Sequence, residues 1–214
     1  MRMRRKKHRE ERMDRCSELI IPDISIYKND ISKIFDNDNP IRMEIGCGKG
    51  KFITETAAQN PNVNFIAVEK CLDVLVLALE KVQAAGLKNV RFVAGDVNSF
   101  ADFDTESRAE VIYINFCDPW KKNSQAKRRL THKNFLDMYK KLLAADGSLY
   151  FKTDNTKLFE FSLNSFADYG MKLKNITLDL ANSKYEGNIT TEYEELFMQK
   201  GQPIYRCEAS YIRK

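Results

Sequence analysis

Apolar and polar positions along the chain predict strands that alternate with helices. Five short, strongly apolar runs have the length of buried strands, and segments with helical spacing of apolar residues lie between them or follow them. The predicted strands are 41–45, 63–68, 90–93, 111–116 and 148–152, and the predicted helices are 52–58, 72–85, 133–143 and 156–166. Two later segments, 172–178 and 204–212, alternate apolar and polar residues and are expected to pair as an antiparallel hairpin.

This order of elements predicts an α/β fold, doubly wound, with a mostly parallel seven-stranded sheet and an antiparallel edge strand. The spacing of apolar residues also predicts a helix within 25–35, and Asp146-Gly147 is expected to end the helix before the fifth strand. Ligands of such sheets bind beyond the carboxyl ends of the strands. The residues that follow positions 45, 68, 93, 116 and 152 are therefore the candidates for function.

A glycine-rich loop follows the first strand. Gly46, Gly48 and Gly50 permit sharp backbone turns and close approach of a ligand, and Glu44 precedes them. A dinucleotide-binding loop would need a glycine at position 51, where this chain has Lys51. The pattern instead favours a nucleoside ligand with an amino-acid tail, and a simple tight turn between strand and helix is the alternative.

Acidic residues follow the next two strands. Glu69 stands where a carboxylate accepts hydrogen bonds from a ribose diol, about 20 residues beyond the glycine loop. Asp96 suits an adenine amino group, although an aspartate there also suits the start of a helix. Each residue alone is a weak indicator, but together with the glycine loop they are more specific.

A carboxylate, a proline and an aromatic side chain follow the fourth strand in Asp118-Pro119-Trp120. The stretch 119–133 then carries six basic residues and no acidic one, namely Lys121, Lys122, Lys127, Arg128, Arg129 and Lys133. A carboxylate and an aromatic ring joined to a phosphate-seeking loop favour modification of a base inside a nucleic acid. A proline turn with a core tryptophan is the alternative.

The charge distribution points to the same kind of partner. The net charge of +5 is confined to residues 1–16, which hold eight basic and three acidic side chains, whereas residues 17–214 hold 27 of each. Two local basic patches on a neutral body indicate a polyanionic partner, while flexible solvated segments are the alternative. We expect residues 1–16 to form a basic N-terminal arm and residues 17–214 to form one domain.

Composition excludes several classes of protein. The 214 residues are 43% hydrophobic and 30% charged, which suffices for a core, and no apolar run reaches the roughly 18 residues of a membrane span. The first residues lack the apolar stretch of a signal peptide, and five cysteines without a CxxC pair favour a reducing cytoplasm. His8 and His132 lie outside the strand-end positions, and no metal site is expected.

Two further candidate positions lie late in the chain. Asp154 directly follows the fifth strand. The segment 191–194 opens a predicted helix, and Thr191 and Glu194 have the spacing of a capping box, which is the structural alternative to a binding role.

Taken together, these residues resemble the bacterial tRNA (guanine-N7-)-methyltransferases, the TrmB type of class I S-adenosylmethionine-dependent enzymes. The resemblance runs from about residue 20 to the C-terminus and rests on the segments 44–50, 69, 95–96, 116–120, 127–130, 153–154 and 191–194. The family usually has proline at the positions of Cys117 and Lys121. Neither replacement removes a functional group, so the difference concerns the rigidity of the loop rather than its chemistry.

The resemblance implies the class I methyltransferase fold and methyl transfer from S-adenosylmethionine to N7 of the variable-loop guanosine at position 46 of tRNA. The implied cofactor-binding residues are Glu44, Gly46, Gly48, Gly50, Glu69, Asp96 and Asp118, of which Asp118 is also the implied catalytic residue. The implied substrate-binding residues are Lys122, Asp154, Thr191, Glu192, Tyr193 and Glu194. The implied RNA contacts are Ser124, Gln125, Ala126, Lys127, Arg128 and Arg129.

The chemistry of guanine N7 agrees with this set. N7 already carries a free lone pair, so the reaction needs alignment and a place for the positive charge that develops on the purine. Carboxylates such as Asp118 and Asp154 accept hydrogen bonds from guanine N–H groups and stabilise that charge.

Two other functions remain as alternatives. An adenine-N6 amino methyltransferase has the motif [DN]-P-P-[YFW] at the fourth strand, and Asp118-Pro119-Trp120 lacks its second proline. An RNA-binding scaffold of the same fold would have no need of the intact glycine loop or of Glu69, Asp96 and Asp118. The protein is expected to be a monomer or a homodimer.

Overall fold

The structure is a computed structural model in which residues 6–212 are described. The chain forms two compact units, residues 1–108 and residues 109–214, which are taken in turn. The part of the predicted basic arm at residues 1–5 lies outside the described residues.

The first unit is a parallel sheet of three strands with helices between them. Its elements in chain order are α1 (Arg9–Asp14), β1 (Ile41–Ile45), α2 (Lys51–Gln59), β2 (Asn64–Glu69), α3 (Leu72–Ala84) and β3 (Val90–Ala94). Strand β2 pairs in parallel with both β1 and β3. Its residues from Asn64 to Val68 are all buried, which is why the run is almost wholly apolar.

The described residues of the second unit, 109–212, form four strands. Its elements in chain order are β4 (Ala109–Asn115), α4 (Lys133–Leu142), β5 (Leu143–Thr153), α5 (Thr156–Asp168), β6 (Met171–Thr177), α6 (Glu192–Gln199) and β7 (Tyr205–Tyr211). Strands β4 and β5 are parallel, whereas β7 is antiparallel to both β5 and β6.

Within residues 6–212, the seven strands follow the order β3-β2-β1-β4-β5-β7-β6. The predicted α/β fold, with a mostly parallel sheet and antiparallel pairing at one edge, is confirmed. The strand that runs against the others is β7, which lies one position in from the outermost strand β6. Across the same residues, no helix is long and apolar enough to cross a membrane.

Residues 25–35 do not form the single helix that the apolar spacing predicts. They form two short 3₁₀ turns, Ile24–Tyr27 and Ile31–Ile34. The side chains of Asp23 and Asp30 accept hydrogen bonds from the backbone N–H groups of Ser25 and Ser32, so each aspartate starts a new turn.

The predicted end of a helix at Asp146-Gly147 is also wrong. Helix α4 ends at Leu142, and β5 begins at the next residue, so Gly147 lies inside the strand. A Cβ atom at Gly147 would lie 3.0 Å from the carbonyl oxygens of Ala109 and Glu110. The glycine therefore permits close approach of two backbones rather than a turn.

The described part of the basic arm lies against α3. Arg12 makes a bidentate ion pair with Glu80, with N–O distances of 2.7 and 2.6 Å. These hydrogen bonds lower the pKa of the Glu80 carboxyl. Arg9 lies 3.4 Å from Asp73. Two of the arm's cations are thus already paired within the first unit.

Candidate functional site

The glycine loop of the first unit is held by β2. The N–H groups of Gly46 and Cys47 both donate to the carbonyl oxygen of Val68, at 2.8 and 3.1 Å. The Glu69 carboxylate accepts from Gly48 N–H at 3.0 Å and from the N–H of Cys71 at 2.8 Å. Glu69 therefore ties the loop to the start of α3 and lies half-buried beside it.

The conformation of the loop explains its three glycines. Gly46, Gly48 and Gly50 have φ angles of 78°, 59° and 84°, in the left-handed region that favours glycine. An added Cβ would meet nothing within 4 Å at Gly46 or Gly48, but at Gly50 it would lie 2.6 Å from Ala78. Gly50 thus serves the packing of α2 on α3, while Gly46 and Gly48 leave open space for a ligand.

We expect Gly50→Ala to destabilise the protein more than Gly48→Ala does. Both substitutions place a side chain at positive φ, at a cost of about 1–2 kcal/mol, but only Gly50→Ala also forces overlap with Ala78. That overlap adds about 1–3 kcal/mol. The measurement is the free energy of unfolding in denaturant without ligand. Equal losses in the two variants would contradict the packing role of Gly50.

Two other acidic residues of the first unit differ in exposure. Glu44 on β1 is only 1% exposed. Asp96 is exposed and accepts from the backbone N–H of Asn98 at 3.0 Å, which starts the 3₁₀ turn Val97–Phe100. The capping alternative for Asp96 is thus present in the structure, and its contact with adenine stays a prediction.

In the second unit, the loop after β4 begins and ends on a strained residue. Phe116 and Trp120 have φ angles of 53° and 41°. Such conformations cost on the order of 1–3 kcal/mol each for residues other than glycine, and they persist only where their surroundings hold them. Phe116 N–H donates to the carbonyl oxygen of Lys152 at 2.9 Å, and its ring stacks near Tyr193 and Phe197 of α6, with centroids 6.3 and 6.4 Å away.

Asp118 lies in the middle of this loop and is exposed. Burial of the neighbouring Cys117 thiol, reinforced by the negative charge of Asp118, raises the pKa of Cys117 to about 12. Cys117 is therefore a neutral thiol near pH 7 and no nucleophile. The carboxylate of Asp118 is the group that this loop presents.

The basic cluster after the loop divides into exposed and anchored residues. The exposed residues of this stretch include Lys121, Lys122, Ser124, Lys127, Arg128 and Lys133. Gln125 and Ala126 are half-buried in the turn Asn123–Arg128. The Arg128 guanidinium lies over the Trp120 ring at 4.8 Å from the centroid. Arg129 instead donates to the backbone of Pro119 and Trp120.

The substrate-binding residues expected on α6 fall into two kinds. Thr191 and Glu194 form the full capping box, and Glu194 is 1% exposed. The structural alternative raised for these two side chains is therefore present. Tyr193 is 59% exposed, and Glu192 and Asp154 are half-buried. Their contact with a substrate stays a prediction.

Sequence reasoning missed the residue that anchors α6. Lys152 of β5 is 5% exposed, and its ammonium group donates to Glu194 at 2.8 Å, to Asn188 at 3.1 Å and to the carbonyl of Ile189 at 2.9 Å. The available signal was a lysine that directly follows the apolar run 149–151 of β5, since a lysine is seldom buried without a partner.

Comparison with known proteins identifies the class. The family model described as "Putative methyltransferase" matches residues 38–207. The 30S ribosomal A1408 methyltransferase from an uncultured bacterium is a structural neighbour, with a TM-score of 0.57, 12% identity, and coverage of 86% of this chain and 94% of that one. The 16S rRNA methyltransferase KamB has a TM-score of 0.59 at 12% identity, over 82% and 89% of the two chains. At these identities the two structures support the fold alone.

The fold and the family model together define a class I methyltransferase, with S-adenosylmethionine as the methyl donor. Sequence relatives narrow the class. A tRNA (guanine-N(7)-)-methyltransferase of Clostridioides difficile (strain 630) is 52% identical over 98% of both chains. One of Geobacillus sp. (strain WCH70) is 46% identical over 100% of this chain and 97% of its own. The chain belongs to the tRNA (guanine-N(7)-)-methyltransferase family.

Proposed function

We propose that this protein methylates N7 of a guanosine in tRNA, at position 46 of the variable loop, in the cytoplasm. The observation that carries the proposal is the 52% identity, across 98% of both chains, to a relative named for that reaction. The open glycine loop of the first unit and the exposed Asp118 with its basic cluster in the second unit agree with it.

S-adenosylmethionine, when bound, supplies a methyl group on a positively charged sulfur. The residues of the first unit suit the three parts of this cofactor, which are its methionine portion, its ribose and its adenine. Gly46 and Gly48 leave space for the methionine portion, with Glu44 at the end of β1. Glu69 is already oriented by two backbone N–H groups at the end of β2, where it accepts from a ribose diol. Asp96 offers its carboxylate to the adenine amino group.

Asp118 performs the electrostatic part of the reaction. Guanine N7 needs no base to begin attack, because its lone pair is free. A carboxylate that accepts hydrogen bonds from guanine N–H groups stabilises the positive charge that develops on the purine. Asp118 lies on a loop held at Phe116 and Trp120, so its direction is set before the substrate arrives. Asp154, directly after β5, is the second carboxylate assigned to the substrate.

The basic cluster supplies RNA affinity. Lys122, Lys127 and Arg128 are exposed and follow directly on the loop that carries Asp118. Their charges neutralise phosphates and make no contact with a base. They therefore position the tRNA on the protein but do not select the guanosine. Tyr193 offers an exposed aromatic face for the base.

Nucleoside analysis tests the proposal directly. The protein is incubated with tRNA and methyl-labelled S-adenosylmethionine, the tRNA is digested, and the nucleosides are separated. We expect label in 7-methylguanosine alone, and none in a tRNA whose guanosine 46 is replaced by adenosine. Label in N6-methyladenosine would favour the amino methyltransferase alternative, and absence of label with intact tRNA binding would favour the scaffold.

The charges of the arm give a further prediction. Deletion of residues 1–7 removes five basic side chains and is expected to weaken tRNA binding and flatten its dependence on salt. On a duplex, each phosphate contact contributes about 0.9 to the log–log slope. Arg12→Gln is the control, because Arg12 is paired with Glu80, and its slope should equal that of the wild type. An unchanged slope after the deletion would show that these residues make no contact with RNA.

A further inference from the structure

The Arg129 guanidinium is held by three groups of the second unit. Its Nε donates to the carbonyl oxygen of Pro119 at 3.1 Å, and its Nη2 donates to that of Trp120 at 3.0 Å. Its face lies over the ring of Phe161 on α5, 4.4 Å from the centroid. A guanidinium can make all three contacts at once, because its donors form a planar fork and its face stacks on rings.

Arg129 thus differs from the two basic residues before it. Lys127 and Arg128 are exposed, as expected of phosphate contacts, whereas Arg129 is half-buried. Its fork is directed at backbone of the same unit. The grouping of all three residues as RNA contacts, which the sequence suggested, therefore does not describe how Arg129 is used in this structure.

The two carbonyls that Arg129 binds belong to the residues immediately after Asp118. Trp120, the second of them, has a φ angle of 41°, which a residue other than glycine adopts only under constraint. Arg129 supplies a constraint at this end of the loop, and Phe116 is constrained at the other end by its stacking on α6. Asp118 lies between these two anchored ends.

We propose that Arg129 is a positioning residue for Asp118, which it serves by fixing the backbone of Pro119 and Trp120. This inference rests on the proposed function, because it concerns the same reaction. Lysine at position 129 keeps the positive charge but cannot bind both carbonyls and stack on Phe161 with the same geometry. A substitution by lysine can therefore separate the positioning role of Arg129 from the effect of its positive charge.

The test is Arg129→Lys, measured in three ways. Single-turnover methylation at saturating tRNA and cofactor is expected to slow about 10- to 100-fold, since small misplacement of a reacting group has effects of that order. The dissociation constant for tRNA and its salt slope should stay within about twofold of wild type. Trp120 is the only tryptophan of the chain, so its fluorescence reports on this loop without substrate. We expect acrylamide to quench Trp120 more strongly in the variant.

Arg91→Lys is the matched control. Arg91 of β3 also donates to two backbone carbonyls, those of Lys88 and Val90, both at 2.9 Å, and lies over the Phe35 ring. It belongs to the first unit and has no assigned part in the reaction. Its replacement by lysine removes the same kind of contact, and should leave both the single-turnover rate and the quenching of Trp120 unchanged.

Combination with Asp118→Asn decides whether Arg129 acts through Asp118. If it does, Arg129→Lys should slow the Asp118→Asn enzyme less than twofold, because contacts that serve one group are not additive. A full additional loss would overturn the proposal. So would a wild-type rate for Arg129→Lys with weaker tRNA binding and a lower salt slope, which would make Arg129 a phosphate contact. Absence of 7-methylguanosine with the wild-type protein would instead overturn the proposed function, and the Trp120 quenching would still report whether Arg129 holds the loop.

Discussion

Replacement of Asp118 by asparagine is expected to leave tRNA binding close to that of the wild type and to slow methyl transfer by on the order of 10²-fold or more. Asparagine keeps the size of the side chain but loses its negative charge. Its amide hydrogens would also point towards the N–H donors of guanine. The loss should therefore appear in the chemical step, which single-turnover methylation at saturating tRNA and cofactor measures.

The position of Asp118 makes this test sharp. The side chain is exposed, so the variant should fold as the wild type does. Asp146→Asn, at another exposed aspartate of the same unit, is the control and should react at the wild-type rate. If Asp118→Asn also transfers methyl groups at that rate, Asp118 only shapes the turn before Pro119 and the catalytic assignment is wrong.

The sequence predicts the parts of this protein whose causes are local. The alternation of apolar strands and amphipathic helices is enough for the sheet, and Gly46, Gly48 and Gly50 follow β1 where a sharp turn requires them. The capping box of Thr191 and Glu194 depends on residues three apart, so its spacing could be read directly.

The features that the sequence did not predict depend on distant partners. Lys152 and Glu194 are 42 residues apart, and nothing near either residue identifies the other as its ion-pair partner. The sequence alone does not distinguish Arg129 from its basic neighbours, because the contacts that set it apart are with Phe161 and with backbone carbonyls. The two turns within 24–34 replaced a helix because Asp23 and Asp30 compete for backbone N–H groups.

Removal of one partner of the buried pair between Lys152 and Glu194 is expected to cost about 3–5 kcal/mol of unfolding free energy. The ammonium group of Lys152 is enclosed by Glu194, Asn188 and the carbonyl of Ile189. Glu194→Gln would leave that cation buried without a counter-charge. Lys152→Met would likewise leave the Glu194 carboxylate buried without a counter-charge. Denaturant unfolding of each variant measures the loss.

Two comparisons test whether the charges of Lys152 and Glu194 stabilise each other or contribute independently to the free energy of unfolding. The double variant Lys152→Met with Glu194→Gln should lose clearly less than the sum of the single variants, because it removes both charges at once. Glu55→Gln removes the partner of Lys51 in a more exposed pair 3.7 Å apart and should cost less than about 1 kcal/mol. Additive losses in the double variant would show that the two charges do not stabilise each other.

The same pair should determine how firmly α6 presents Tyr193. Lys152 binds residues on both sides of the start of α6, and its carbonyl oxygen accepts the N–H of Phe116, whose ring stacks near Tyr193 and Phe197. Glu194→Gln is therefore expected to raise amide hydrogen exchange across 188–199 before global unfolding, while exchange in α5 stays slow. It should also raise the KM for tRNA more than it lowers the single-turnover rate, because Arg129 still binds the carbonyls of Pro119 and Trp120 at the end of the loop that follows Asp118. An exchange pattern equal to that of the wild type would mean that the stacked rings alone hold α6 in place.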